Sequence, residues 1–386
     1  MTGNERVGLA LSGGGFRAAA FHLGVLRGLH ARDLLSRVDV VSAVSGGALL
    51  AAAWVAQGRD DFAAFNDRMR SFLSRDLKRR IVLAALRPDR LFRLAVDPAY
   101  SLTEVLAEVV DREVLRGVTL GALRGVRPKL VVNATCLNHG TGWRVTPDRM
   151  GDWRLATEDR GTLEAFPLAR AVAASAAFPG GFAPLVMRGR RFFAASRKAP
   201  REVLLSDGGV DDNLGVQALV AEECTRLVVS DGSFPFEDDD RPLDRFGLPA
   251  ARRFLVATMV VVLATWGAVR LEMPAVGLAL TALLSVAVLL RLRLALWLFG
   301  AVMMRGQRRG LLRHLFGGGV PVVYVGLSTA LAVESEQRLR DAGVDVAALR
   351  RIRTDLSLTR AEVDGLAALG EALVRDRVPP GGWADG

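Results

Sequence analysis

With 386 residues, the chain is long enough for one large α/β domain with insertions or for two domains. Its net charge of +10 comes almost wholly from arginines, but it lacks zinc-finger spacing, an RNA-binding aromatic signature and a polar basic tail, so a nucleic-acid partner is excluded and an anionic membrane surface suits the charge better. The hydrophobic content of 51% is high for a soluble enzyme, and two cysteines (Cys136, Cys224) with four scattered histidines (His22, His30, His139, His314) offer neither a disulfide framework nor a metal-ligand cluster.

No charged-then-apolar leader precedes the first apolar stretch, so the catalytic part is expected to be made and kept in the cytoplasm. Residues 6–12 (RVGLALS) predict a short strand, and the Ala/Leu-rich residues 18–30 predict a helix. Between them stand Gly13, Gly14, Gly15, Phe16 and Arg17. Three glycines between strand and helix leave backbone N–H groups bare for an anion. A phosphate loop, an oxyanion hole and a plain glycine turn all fit, although the G-K-[S/T] ending of a nucleotide loop is missing and Ala18 stands where G-x-G-x-x-G has its last glycine.

Residues 38–53 (VDVVSAVSGGALLAAA) begin as a β-branched strand and end as an Ala/Leu helix. Ser45, Gly46 and Gly47 lie at the junction. This is the layout of a nucleophile elbow, a tight turn that exposes a hydroxyl in front of a helix N-terminus. G-x-S-x-G here reads Ala43-Val44-Ser45-Gly46-Gly47, so Ala43 must sit where only smallness is required and not a positive φ. A serine in an ordinary strand–helix loop is the alternative.

Residues 60–97 interleave Lys78, Arg79, Arg80, Arg87, Arg90 and Arg93 with Ile81, Leu83, Leu86, Leu91 and Phe92. The pattern reads as an interfacial amphipathic segment, a lid, or a solvated helix packed on one side. A core strand is predicted at 128–134 with a hairpin partner at 143–145, followed by a small-residue helix broken at Pro179-Gly180-Gly181. Ser175 in that helix reads as a packing residue. Residues 202–207 (EVLLSD) predict a strand that carries Asp207 to a sheet edge, followed by Gly208 and Gly209, with an ordinary Asp-Gly turn as the alternative. A helix at 216–223 and a strand at 226–231 follow.

Residues 254–269 and 273–290 are apolar runs of 16 and 18 residues, and nine arginines against one acid, Glu272, mark the stretch from 252 to 313. As helices the runs would span roughly 24 and 27 Å, slightly short of a ~30 Å hydrocarbon core. A membrane-inserted hairpin with both flanks on the cytoplasmic side is expected, because the arginines lie at the run ends; a buried helical hairpin and a pair of helices lying in the membrane plane are the alternatives. A last strand at 320–325 and polar helices close the chain, one of them capped by Thr359 with Glu362 three residues on.

The glycine-rich stretch Gly13-Gly14-Gly15-Phe16-Arg17, the serine in SAVSGG, and Asp207-Gly208-Gly209 with Asn213 downstream resemble, in this order and spacing, the patatin-like phospholipase family. VVNATCLNHGTG near 131–142 and AASAAFPGGFAP near 173–184 are further echoes. The resemblance covers about residues 5–233, with fainter echoes over 320–376. It implies an α/β fold, a three-layer α/β/α sandwich with a mostly parallel sheet, and a Ser–Asp dyad with Ser45 as nucleophile and Asp207 as base. Gly13, Gly14 and Gly15 would supply the oxyanion hole, with Arg17 steadying the loop. The expected organisation is a catalytic core at 5–233, the hydrophobic hairpin at 252–313, and a strand and helices at 320–376 that complete the core. The chemistry agrees without the family: no histidine stands in a triad-like motif, so a buried carboxylate is the economical base for a serine. The expected activity is hydrolysis of lipid esters, phospholipids foremost, at a membrane and without cofactor or metal. Acyl transfer on the same dyad and a non-catalytic membrane-tethered scaffold are the alternatives.

Overall fold

A computed structural model describes residues 5–179, 181–193, 200–233 and 320–379. These belong to one compact unit drawn from Met1–Pro235 and Ala301–Gly386. The hydrophobic stretch expected at 252–313 lies outside the described residues. Among the described residues, no helix is long and apolar enough to cross a membrane.

The chain runs β1 (Val7–Leu11), α1 (Gly15–His30), β2 (Val40–Val44), α2 (Gly46–Gln57), α3 (Phe62–Leu73), α4 (Leu77–Ala85), α5 (Pro88–Val96), α6 (Leu102–Val110), β3 (Lys129–Cys136), β4 (Thr141–Val145), β5 (Met150–Gly151) and β6 (Ala156–Thr157). It continues through α7 (Arg160–Glu164), α8 (Leu168–Ser175), β7 (Leu185–Arg188), α9 (Gly189–Phe192), β8 (Glu202–Asp207), α10 (Val216–Ala221), β9 (Arg226–Asp231), β10 (Val322–Gly326), α11 (Val333–Asp341), α12 (Val346–Arg351) and α13 (Arg360–Arg377).

All ten strands form one sheet. Its parallel half is ordered β10-β9-β1-β2-β3. The inner strands β9, β1, β2 and β3 are buried on both faces, which is why they read as near-continuous apolar runs rather than alternating ones, whereas the edge strand β10 is half-buried over its first three residues. The other half is antiparallel: β4, β5 and β6 follow β3 in turn, and β8 with β7 joins β3 separately.

Two cores flank the sheet. The larger contains Leu9, Leu11, Phe21, Val41, Leu50 and Leu369, and the smaller contains Ala10, Val40, Val131, Leu219 and Val229. Alternate residues of β1 and β2 go to opposite cores, as the two-residue period of a strand requires. The last helix closes the larger core by crossing α1 at very short range: a Cβ on Gly24 would stand 1.8 Å from the Ala367 carbonyl oxygen. Its N-terminus carries the expected capping box, with Thr359 and Glu362 satisfying each other's backbone N–H.

The register on β3 positions the site. Beside β3, β2 ends where Val44 faces Asn133. The antiparallel β8 arrives on β3 one residue later, where Asp207 faces Ala134. The residue after Val44 is Ser45, so the ends of β2 and β8 meet there.

Candidate active site

Ser45 has φ 52° and ψ −117° and stands between the last residue of β2 and the first of α2. A non-glycine residue in that region is strained by about 1–3 kcal/mol. The strain turns the side chain out: Ser45 is half-buried, whereas residues 40–44 and 46–55 around it are buried. Two small neighbours make the turn possible. A Cβ on Gly46 would come within 2.0 Å of the Gly15 carbonyl oxygen, and one on Gly47 within 2.5 Å of the Leu11 carbonyl oxygen. Ala43 stands inside β2, paired with Leu11 and fully buried, so only its small size matters there.

Asp207 is 3% exposed at the end of β8. Its carboxylate accepts the Gly209 N–H at 2.7 Å. Burial pushes its pKa up to about 7, against the opposing pull of the Gly209 N–H and of the neighbouring Ser45 side chain. A carboxylate that is ionised in water at neutral pH is thereby poised near it. Gly208 lies tight against β3, where a Cβ would meet the Asn133 carbonyl oxygen at 2.3 Å.

The glycine-rich loop passes directly over Gly46. Gly14 and Gly15 have φ of 141° and 63°, and both are half-buried, like Ser45. No described residue accepts the Gly14 or Gly15 N–H. Gly13 differs. It is buried, and its N–H donates to the Asn213 carbonyl at 3.0 Å. The expectation that Gly13 lends its N–H to an oxyanion is therefore corrected: Gly13 fastens the loop, and Gly14 and Gly15 present the open donors.

Arg17 is fully buried in α1 and ties this loop to two distant segments, with Nε donating to the Gly232 carbonyl at 3.2 Å and Nη1 to the Ile352 carbonyl at 2.7 Å. Burial lowers its pKa to about 10, against the pull of Asp231. Ala18, in place of a glycine, packs on Gly232, where a Cβ would lie 2.6 Å from the Ala18 Cα. Small residues on both sides of this contact compensate for the departure from the glycine pattern.

Three partners were not legible in the sequence. Ser175 Oγ accepts the Ser45 N–H at 2.8 Å and donates to the Asn133 carbonyl at 2.5 Å, so it holds the elbow from the end of α8. Its Ala-rich surroundings signalled only packing. Asn133 binds the Ser42 hydroxyl at 2.8 Å and the Ala43 carbonyl at 3.1 Å, which fixes the end of β2 from β3. His22 is fully buried, with Nε2 3.0 Å from the Ser12 carbonyl and Nδ1 2.7 Å from the Ser230 hydroxyl. A carbonyl only accepts, so Nε2 carries the proton and Nδ1 accepts from Ser230. Burial lowers this imidazole's pKa to about 4, and the neutral ring pins the residue before the glycine loop. Asp231, also at a strand end, is held by Ser233 and by the Tyr324 hydroxyl at 2.6 Å.

Away from this site, Cys136, His139 and Asp152 bring ligand-type atoms within 4.8 Å of one another, a grouping that the sequence spacing concealed. Asp152 is already engaged. Its Oδ2 accepts from His139 at 2.5 Å and Thr141 at 3.2 Å, and its Oδ1 from the Arg154 and Leu155 N–H groups. The cluster therefore works as a hydrogen-bonded clamp on the β3–β4 hairpin.

A family model described as patatin-like phospholipase matches residues 9–220. The search of curated proteins finds no match. Among solved structures, human GIVD cytosolic phospholipase A2 in complex with methyl gamma-linolenyl fluorophosphonate aligns with a TM-score of 0.54 at 12% identity, over 96% of this chain and 57% of that one. The same human protein without the inhibitor gives 0.46 at 13% identity, over 60% and 46%. VipD from Legionella pneumophila gives 0.34 at 18% identity, over 69% and 55%. This chain spans less than two thirds of the length of each of these structures, and the alignment at 0.54 shows a shared fold.

Proposed function

The chain belongs to the patatin-like phospholipase family, and from that premise we propose that it hydrolyses ester bonds of lipids, phospholipids foremost, with Ser45 as nucleophile and Asp207 as its base. The observation that carries the reading is the placement of the strained Ser45 where β2 and β8 end together on β3, beside a buried Asp207 whose pKa is pushed up to about 7. Serine Oγ is a weak nucleophile until a base takes its proton. Ionised Asp207 takes it as Oγ attacks the acyl carbon, and the negative charge that develops on the carbonyl oxygen falls to the open N–H groups of Gly14 and Gly15. Each well-placed donor of this kind contributes on the order of 3–4 kcal/mol to the transition state. Protonated Asp207 then gives its proton to the departing alcohol. A water attacks the acyl-serine, Asp207 takes the water's proton, and Ser45 is restored.

The test compares wild type with Ser45→Ala on a soluble p-nitrophenyl acyl ester and on phospholipid vesicles, reading fatty-acid release by mass spectrometry. Loss of both activities in a variant that still unfolds cooperatively supports the proposal. Wild-type rates in Ser45→Ala, or no turnover by wild type, would reject it, the latter in favour of a scaffold. Transfer of the acyl group to an added alcohol in place of water would identify an acyltransferase on the same dyad.

A further inference from the structure

We infer that the exposed face of α4 and α5 is a docking surface for an anionic phospholipid bilayer, joined to the glycine loop beside Ser45 by the strap at residues 352–358. Helix α5 leaves most of its apolar side chains uncovered. It meets the protein through Leu94, which packs on the larger core, and through Arg90, whose Nε binds Glu108 at 2.6 Å, while the exposed Arg93 reaches the same carboxylate at 3.4 Å and stacks over the Tyr100 ring at 3.8 Å. Its opposite side, with Leu91, Phe92 and Val96, faces outward, and Phe92 is 68% exposed. None of its residues is buried.

Helix α4 continues the surface. Leu77, Ile81, Ala84 and Ala85 are buried, which leaves Val82, Leu83 and Leu86 exposed next to α5. Of the ten large hydrophobic residues exposed among the described ones, six fall between Val82 and Val96. An apolar patch of this kind marks a contact surface. The occupant follows from the charge around it. Residues 75–96 contain seven basic side chains (Arg75, Lys78, Arg79, Arg80, Arg87, Arg90, Arg93) and two acids (Asp76, Asp89); Arg80 pairs with Glu113, Arg87 with Asp89, and Arg90 and Arg93 with Glu108, and the balance of the stretch stays positive. Lys78, Arg79 and Arg87 are exposed on the same elements as the apolar side chains. Apolar groups that enter the acyl boundary, together with cations at headgroup level, suit an anionic lipid surface.

The surface is tied to the site. The Leu77 N–H at the start of α4 donates to the Leu356 carbonyl at 3.0 Å, and Lys78 pairs with Asp355 at 2.5 Å. The Asp355 carbonyl in turn accepts the Phe16 N–H at 2.9 Å, immediately after the glycine loop. One short strap, residues 352–358, thus joins the docking face to the loop beside Ser45. The inference rests on the proposed lipid hydrolysis for its purpose, but its first test, vesicle quenching, does not use turnover.

The experiment uses the full chain with Ser45→Ala, so that vesicles stay intact, and a single dye on Phe92→Cys. The native thiols are buried, and burial pushes the pKa of Cys136 up and that of Cys224 up to about 11, so neither competes for the label. A control dye sits on Ser36→Cys, an exposed position before β2 at the opposite end of the sheet. Vesicles contain nitroxide-bearing phosphatidylcholine with or without about one-third phosphatidylglycerol. Quenching of the dye at 92 by anionic vesicles, at least about threefold stronger than at 36 and weakened by high salt, is expected. A dye at 92 that behaves like the one at 36 would overturn the inference, even if the protein floats with the vesicles through another segment. Equal quenching by neutral vesicles would overturn its electrostatic part, and a change at 92 that tracks protein concentration without vesicles would assign the face to a second copy of the chain. In the catalytically intact protein, Leu83→Asp with Phe92→Asp should lower hydrolysis of vesicle lipid about tenfold while leaving the soluble ester rate unchanged. A parallel loss on both substrates would indicate damage to the fold and count against docking.

Discussion

At the residue scale, the central quantity is the proton on Asp207. Its pKa is raised by burial to about 7, and the base must be ionised to act, so kcat/KM on a soluble ester should rise with pH through about 7 and then level. A profile flat from pH 5 to 9 would remove Asp207 from the rate-limiting proton transfer. Asp207→Asn cannot accept the proton, and a variant that keeps more than about a tenth of kcat, a loss under ~1.4 kcal/mol, would show that Asp207 is not the main base. The same shift has a stability sign. A raised folded pKa means that the neutral carboxyl stabilises the fold at low pH and that this stability is lost as pH rises towards about 7. Asp207→Asn should therefore gain on wild type across that window and be more stable by at least about 1 kcal/mol at pH 8, with the difference vanishing near pH 3. Thermal unfolding at the two pH values measures it. The serine and the aspartate were both legible, because strand, small residues and polar residue occur in a fixed order. Ser175 was not: an alanine-rich helix hides what its one hydroxyl touches. Ser175→Ala would leave the Ser45 N–H unpartnered, costing about 1–3 kcal/mol of stability, and should lower kcat with little change in KM.

At the element scale, the site depends on β2 and β8 meeting along β3. Apolar runs and β-branched residues located both strands, and the predicted 202–207 matches β8 residue for residue. Strand direction has no such signature. Nothing in EVLLSD distinguishes an antiparallel strand from a parallel one, and β7, its short partner, lacks a composition of its own. The helix crossing was equally silent, since its contact is made by absent side chains. Gly24 of α1 faces the Ala367 carbonyl, and Gly370 of α13 faces the Phe21 carbonyl, where a Cβ would stand at 2.3 Å. Backbone cannot yield as a flexible side chain can. Gly24→Val should therefore cost more than the ~1–3 kcal/mol of ordinary overpacking and lower the unfolding temperature sharply. An unchanged transition would show that α13 does not pack on α1 as described.

At the scale of the whole molecule, residues 320–379 are part of the catalytic fold rather than an appendage. Strand β10 pairs with β9 in parallel, and α13 closes the core over α1. β9 ends on the same side of the sheet as Ser45, so the chain leaves for residues 234–319 from the active-site end. The arginine-flanked apolar runs within that stretch are the ones from which a membrane-inserted hairpin is expected, and they lie outside the described residues. Alkaline carbonate extraction of membranes tests it: retention that is lost on deleting 254–290 is expected, and release of the intact protein would contradict it. The fold and the family serve one proposed chemical claim, that Ser45 is a nucleophile activated by Asp207. The most direct test is reaction of the full chain with a fluorophosphonate, followed by peptide mapping of the adduct. The account predicts a single adduct on Ser45, absent from Ser45→Ala and formed at least about a hundredfold more slowly in Asp207→Asn. An adduct on Ser175 or any other residue, or labelling of Ser45→Ala at the wild-type rate, would contradict it.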